Sequence, residues 1–134
     1  MYKRQRSINR FVFDQDYNID LILFRELIGS VSNALYFRPW LSYELTKSIK
    51  FHAQNVTASA LRPVATPGNS KMWGIELDGD LSYSSNGFHA GIAYGMFLPL
   101  AAMNHPDDTG FDYGTNIGDA GNAHTVQARF AVEF

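Results

Sequence analysis

From Ala34 onward, apolar and polar residues alternate along this chain with a period of two. The clearest stretch sets an apolar series against a polar one: Trp73, Ile75, Leu77, Gly79, Leu81 and Tyr83 against Gly74, Glu76, Asp78, Asp80 and Ser82. Successive side chains of a β-strand point to opposite faces, so this pattern predicts strands with one apolar and one polar face.

The same alternation predicts about six strands. They lie at residues 7–13, 35–45, 49–60, 73–83, 88–98 and 125–134. Within residues 49–60 we expect the phase to slip near Asn55, because the apolar series passes from Phe51 and Ala53 to Val56 and Ala58. The predicted fold class is all-β, an antiparallel up-and-down meander that forms part of a transmembrane β-barrel.

Connections of different length alternate between the two ends of this sheet. Short turns are expected at residues 46–48 and 84–87, and long connections at 14–33, 61–70 and 101–123. In the first long connection, residues 20–29 predict a short helix, with Asn18 or Asp20 as N-cap and Gly29 after its end. The alternative for the same region is another strand.

The two short turns imply registers. A three-residue loop at 46–48 places Tyr43 opposite Phe51, and Glu44 opposite Lys50. A four-residue loop at 84–87 places Tyr83 opposite Phe88, with Leu81 opposite Ala90 and Leu77 opposite Tyr94.

Composition excludes several classes of function. The chain has 11 Lys and Arg against 13 Asp and Glu, a net charge of −2, which gives no electrostatic reason for nucleic-acid binding. Cysteine is absent, which removes disulfides, thiolate zinc sites and cysteine nucleophiles. No apolar run is long enough for a transmembrane helix, and no export signal is visible near the N-terminus.

Strand length and the placement of aromatic residues favour a membrane barrel over a soluble one. Strands of about 11–13 residues suffice to cross a bilayer at a tilt, whereas globular strands usually have about 5–6. Aromatic residues near the strand ends of the apolar face predict a membrane belt: Phe37, Tyr43, Trp73, Tyr83, Phe88 and Phe134.

The chain ends with Val126-Gln-Ala-Arg-Phe-Ala-Val-Glu-Phe134, which resembles the C-terminal strand signal of bacterial outer-membrane β-barrels. Residues 13–29 and 34–39 are also similar to the C-terminal part of a large, poorly characterised barrel family of myxobacteria and related bacteria, loosely similar to alginate-export-type porins. The resemblance implies the outer membrane as location, the lipid bilayer and lipopolysaccharide as surroundings, and the barrel-assembly machinery as a partner that binds the Phe134 strand.

Single-chain bacterial barrels have at least eight strands, so about six predicted strands suggest that residues 1–134 are the C-terminal segment of a longer barrel. The polar face would then line the lumen. Its predicted lining residues are Arg38, Glu44, Lys50, His52, Gln54, Glu76, Asp78, Asp80, His89, Gln127, Arg129 and Glu133.

We find no motif for catalysis, and neither a cofactor nor a metal is predicted. His52, Ser42 and Glu44 share the polar face, but no nucleophile motif accompanies them. Residues 104–119 are rich in aspartate, yet their spacing is not that of a calcium loop, and we expect an ordinary surface loop.

Three functions remain open at this point. The first is a porin-like passive channel or exporter for small solutes. The second is a soluble lipocalin-like binding barrel, in which the apolar face lines a pocket, and the third is a structural barrel with a plugged interior.

Overall fold

A computed structural model describes residues 19–104 and 119–134 of the chain. They form one antiparallel, meander-like sheet of six strands: β1 (Ala34–Phe37), β2 (Trp40–Glu44), β3 (Ile49–Ala60), β4 (Met72–Ser85), β5 (Phe88–Pro99) and β6 (Ala123–Val132). Strands β3 to β6 pair in chain order, and β1 and β2 both pair with β3. The sheet is not closed within this part of the chain. The strand predicted at 7–13 and most of the 104–119 loop lie outside the described residues.

The single strand predicted at 35–45 is divided into β1 and β2 at Arg38 and Pro39. Proline has no backbone N–H, so it interrupts a strand ladder. The Pro39 carbonyl still accepts a hydrogen bond from the Asn55 N–H at 3.0 Å. Both strands therefore continue along the same edge of β3.

The first short turn has the predicted register. Tyr43 pairs with Phe51, and Glu44 pairs with Lys50. The Lys50 Nζ and Glu44 Oε1 atoms are 3.8 Å apart.

The second short turn corrects the predicted register. The loop has two residues, Asn86 and Gly87, with φ of 47° and 78°. An Asn-Gly pair favours the left-handed conformations of a tight hairpin turn, so β4 extends two residues beyond its predicted end, to Ser85, while β5 begins at Phe88 as predicted. Tyr83 consequently pairs with Ala90 and not with Phe88. A shift of two positions leaves every side chain on its predicted face.

The helix predicted at residues 20–29 is present as a single π-helical turn, Leu23–Leu27. The N–H groups of Leu27 and Ile28 donate to the carbonyls five residues earlier, at 3.0 and 2.9 Å. Gly29 follows with φ of 83°, the left-handed conformation expected after a helical end. Two short 3₁₀ turns lie at Pro63–Ala65 and Ala101–Met103.

Residues 19–31, here called the covering segment, pack on one face of the sheet. We call this face the inner face and the opposite one the outer face. The contact forms the buried core of the described residues: Ile19, Ile22, Leu23, Phe24, Val31, Val56, Ala58, Ala60, Trp73, Phe97 and Ala102. The core therefore lies to one side of the sheet, toward the end with the longer connections.

The prediction of a phase slip near Asn55 is wrong. Gln54 pairs with Asp78, Val56 with Glu76 and Ala58 with Gly74, so β3 keeps its alternation along this stretch. Instead, the inner-face residues of β3 change from polar to apolar at Val56. The covering segment buries Val56 and Ala58.

Trp73 does not belong to an exposed belt. Its side chain is only 6% exposed and lies in the buried core. The indole Nε1–H donates to the Asn33 carbonyl at 3.3 Å. The irregular register opposite Ala58 and Ser59 interrupts the alternation at this end of β4, which the sequence pattern did not indicate.

Candidate functional site on the inner face

Rows of paired residues across the strands bring the predicted polar residues onto the inner face. One row contains Gln54, Asp78 and Gly95, the next His52, Asp80 and Gln127, and a third Lys50 and Arg129. Directly opposed residues share a face, so these side chains form one continuous wall. Glu133, next to the end of β6, has its Oε1 atom 3.6 Å from His89 Nε2.

Glu76 fastens the covering segment to this wall. Its side chain is fully buried. Oε1 accepts the N–H groups of Leu21 and Ile22 at 2.8 and 2.7 Å, and Oε2 accepts that of Leu23 at 2.8 Å. A buried carboxylate is costly unless donors surround it, and here three consecutive backbone amides supply them.

Two further wall residues hold the carbonyl of Ile19. Gln54 Nε2 donates to it at 2.8 Å, and Arg38 Nη1 donates at 3.3 Å. The same Gln54 nitrogen donates to Asp78 Oδ2 at 2.8 Å. The polar wall therefore binds the covering segment through its backbone, whereas the apolar part of the inner face binds its side chains.

Asp20 stabilises the helical turn from inside the covering segment. Its carboxylate accepts the N–H groups of Phe24 and Arg25 at 2.9 and 3.1 Å. The N-cap position itself belongs to Ile22, so the prediction of Asp20 as N-cap is wrong. Burial raises the pKa of this carboxyl from 3.8 to about 6, and the nearby negative charge of Glu76 raises it as well. The two backbone hydrogen bonds and the positive charge of Arg25 act in the opposite direction.

Gly95 provides the space in which the covering segment approaches β5. A Cβ atom at this position would lie 2.8 Å from Asp78 Oδ1 and 3.1 Å from Leu21 Cβ. Asp78 Oδ1 is itself buried and has no hydrogen-bond partner among the described residues. At Gly91, by contrast, an added Cβ would meet only the Leu81 carbonyl oxygen, at 3.7 Å.

The other half of the inner face is left open. A groove of about 910 Å³ runs along it, and its polar lining includes His52, Asp80, Gln127 and Arg129. Trp40 stacks on the His52 ring with 5.9 Å between centroids. The groove therefore presents hydrogen-bond donors and acceptors, as well as acidic and basic side chains, to a solute.

The predicted belt residues other than Trp73 are exposed on the outer face or at its margins. They are Phe37, Tyr43, Tyr83, Phe88 and Phe134.

Sequence reasoning did not find Arg25, whose Nη1 donates to Gln127 Oε1 at 3.4 Å, or the stacking of Trp40 on His52. It also missed the covered apolar patch. A signal for that patch was present, because Val56 and Phe97 interrupt an otherwise polar face.

Within residues 19–104 and 119–134, no helix combines the length and hydropathy needed to cross a membrane. The same residues contain no group of three or more His, Asp or Glu side chains arranged to hold a metal ion. No protein-family model, curated protein or solved structure matches the chain.

Proposed function

We propose that the chain is a segment of a bacterial outer-membrane β-barrel, with its outer face toward lipid and its inner face toward the lumen of a porin-like passive channel or exporter. One observation supports this most: the large apolar side chains of the outer face are uncovered. Leu77 is 43% exposed, Ile92 55% and Phe130 74%. In water, an apolar surface of this extent would be buried against a partner or would aggregate.

The distribution of apolar residues disfavours a soluble lipocalin-like barrel. Such a barrel buries its apolar face inside, around a ligand. Here the buried apolar residues of the inner face lie at its covered end, and the larger side chains on the rest of that face are polar apart from Trp40. A lumen filled with water suits this arrangement.

The open edges of the sheet support a segment that pairs with further strands. β6 pairs only with β5, and β1 and β2 pair only with β3, within the described residues. Unpaired backbone groups are not tolerated in the hydrocarbon region of a membrane, so a barrel must close both edges. The terminal Phe134 strand would present the recognition signal for the assembly machinery.

The covering segment favours the structural plugged barrel as a second candidate. It occupies one end of the inner face and is held there by Glu76, Gln54 and Arg38. Channel and plug differ in whether solutes pass, so conductance in planar lipid bilayers separates them. Discrete current steps support a channel, and a sealed bilayer with inserted protein supports a plug.

Lipid contact can be tested by tryptophan quenching in vesicles whose acyl chains carry bromine. Phe130→Trp, in a background where Trp40 and Trp73 are replaced by Phe, reports on the outer face. The matched variant keeps only Trp40, which is 64% exposed on the inner face. We expect strong quenching at position 130 and little at position 40. Equal quenching at both positions would rule out this orientation.

A further inference from the structure

A second pocket, of about 460 Å³, lies between the covering segment and the inner face. Three guanidinium groups line it: Arg25 from the covering segment, Arg38 from the link between β1 and β2, and Arg129 from β6. Asp20 is the one carboxylate in its lining, and both of its oxygens already accept backbone N–H groups. The pocket therefore collects positive charge from three separate parts of the chain.

The carboxylates around this pocket are engaged elsewhere. Glu76 accepts three backbone N–H groups, and Asp78 accepts the Gln54 amide at Oδ2, whereas its buried Oδ1 has no partner among the described residues. At the far end of the wall, Glu44 lies beside Lys50, and Glu133 lies beside His89. None of these contacts takes up one of the three arginines of the pocket.

The arginines do not have corresponding partners. Among residues 19–104 and 119–134, no carboxylate oxygen lies within 4.0 Å of Arg38 or Arg129, and Arg25 pairs only with the exposed Glu26, at 3.6 Å. Arg38 donates to the Ile19 carbonyl, and Arg129 makes no hydrogen bond within these residues. A guanidinium has five N–H donors in a planar fork that matches the oxygens of a carboxylate or phosphate.

We propose that this pocket binds a small oxyanion, a carboxylate- or phosphate-bearing solute, held by Arg38 and Arg129 with Arg25 as a third contact. The covering segment contributes Arg25 and places Ile19 and Leu21 against the site, so its docking on the wall completes the pocket. This inference goes beyond the proposed function. Binding is measured on the folded chain and needs no membrane current, so its failure would leave the barrel proposal intact.

The test is an NMR titration of the 134-residue chain folded in detergent micelles, following the Nε–H signals of the arginines. The probes are sodium phosphate and disodium succinate, each compared with sodium chloride at equal ionic strength. We expect saturable shifts at Arg38 and Arg129 with an oxyanion and none with chloride. Tighter binding of phosphate or of succinate identifies the headgroup chemistry.

Arg129→Gln is the principal variant, because Arg129 has no structural hydrogen bond to lose among the described residues. We expect about tenfold weaker binding, the usual loss for one charged hydrogen-bonding group. Lys50→Gln removes a cation from the same wall outside the pocket and is expected to bind normally. Arg129→Lys keeps the charge without the planar fork and should give an intermediate affinity. Equal shifts with chloride, or equal losses in Arg129→Gln and Lys50→Gln, would refute the site.

Discussion

At the scale of single residues, the decisive property is the face on which a side chain lies. Leu77 and Ser82 belong to the same strand, but Leu77 is on the bare outer face and Ser82 lines the polar groove. The same substitution at these two positions therefore places the new side chain in two different environments. This contrast gives a direct test of orientation.

If the outer face meets lipid as proposed, Leu77→Arg is expected to lower the free energy of unfolding in lipid vesicles by about 2–4 kcal/mol, because an arginine near the middle of that surface would be poorly solvated. Ser82→Arg, on the water-exposed groove, should have a small effect. Denaturant titration of both variants in the same vesicles measures the difference. If the two substitutions cost the same, the outer face does not meet lipid.

Gly95→Ala tests the close approach of the covering segment. The added methyl group would press against Asp78 Oδ1 and Leu21 Cβ, and overpacking of this kind costs about 1–3 kcal/mol. Gly91→Ala is the control on the same face of β5, where the space is open. Denaturant unfolding compares them, and equal stabilities would argue against the tight contact at Gly95.

At the scale of elements, the buried side chain of Glu76 makes more hydrogen bonds to the covering segment than any other described side chain of the sheet does. The three amides bound by Glu76 begin the helical turn and have no carbonyl acceptors of their own among the backbone hydrogen bonds. The segment is short, and a single helical turn is not stable in isolation. Its position depends on the wall against which it docks.

Glu76→Gln replaces one acceptor oxygen by an amide donor, which leaves backbone N–H groups without a partner. An unsatisfied buried donor costs about 1–3 kcal/mol, so amide hydrogen exchange in residues 19–31 should accelerate about 10- to 100-fold. Protection in β3, β4 and β5 should change little. Asp80→Asn, on the same face of β4 but without a hydrogen bond to the covering segment, is the control. Unchanged exchange in residues 19–31 would show that Glu76 does not hold them.

At the scale of the whole molecule, stability should depend on pH through Asp20. Its folded pKa of about 6 lies above the ordinary 3.8, so the folded chain binds this proton more tightly than the unfolded chain. The contribution of Asp20 to the free energy of unfolding is therefore greatest below about pH 4, decreases as the pH rises to about 6, and is constant above that. Asp20→Asn removes this titration.

The free energy of unfolding of the wild type, minus that of Asp20→Asn, should thus be larger at pH 4.5 than at pH 7.5. Subtracting the variant cancels the titration of those shared groups that the charge of Asp20 does not reach, and the remaining difference reports on Asp20 together with its neighbours Glu76 and Asp78. A difference that does not change with pH would mean that Asp20 titrates normally in the folded chain.

The local features of this protein could be predicted from the amino-acid sequence alone. Alternation placed strands β3 to β6, the three-residue loop set the pairing of Glu44 with Lys50, and Gly29 marked the end of the helical turn. These features depend on neighbours in the chain, on strand geometry and on turn conformation. The Asn86-Gly87 turn was also readable in principle, because that dipeptide favours a two-residue loop.

The division of the inner face into a covered apolar part and an open polar part depends on tertiary packing. Val56 and Phe97 are apolar on a polar face because residues 19–31, distant in sequence, cover them. Trp73 is buried for a related reason. The irregular register places it on the core side of β4, where its indole N–H donates to the Asn33 carbonyl. Alternation records which side of a strand a residue occupies, but it contains no information about which distant segment covers that side.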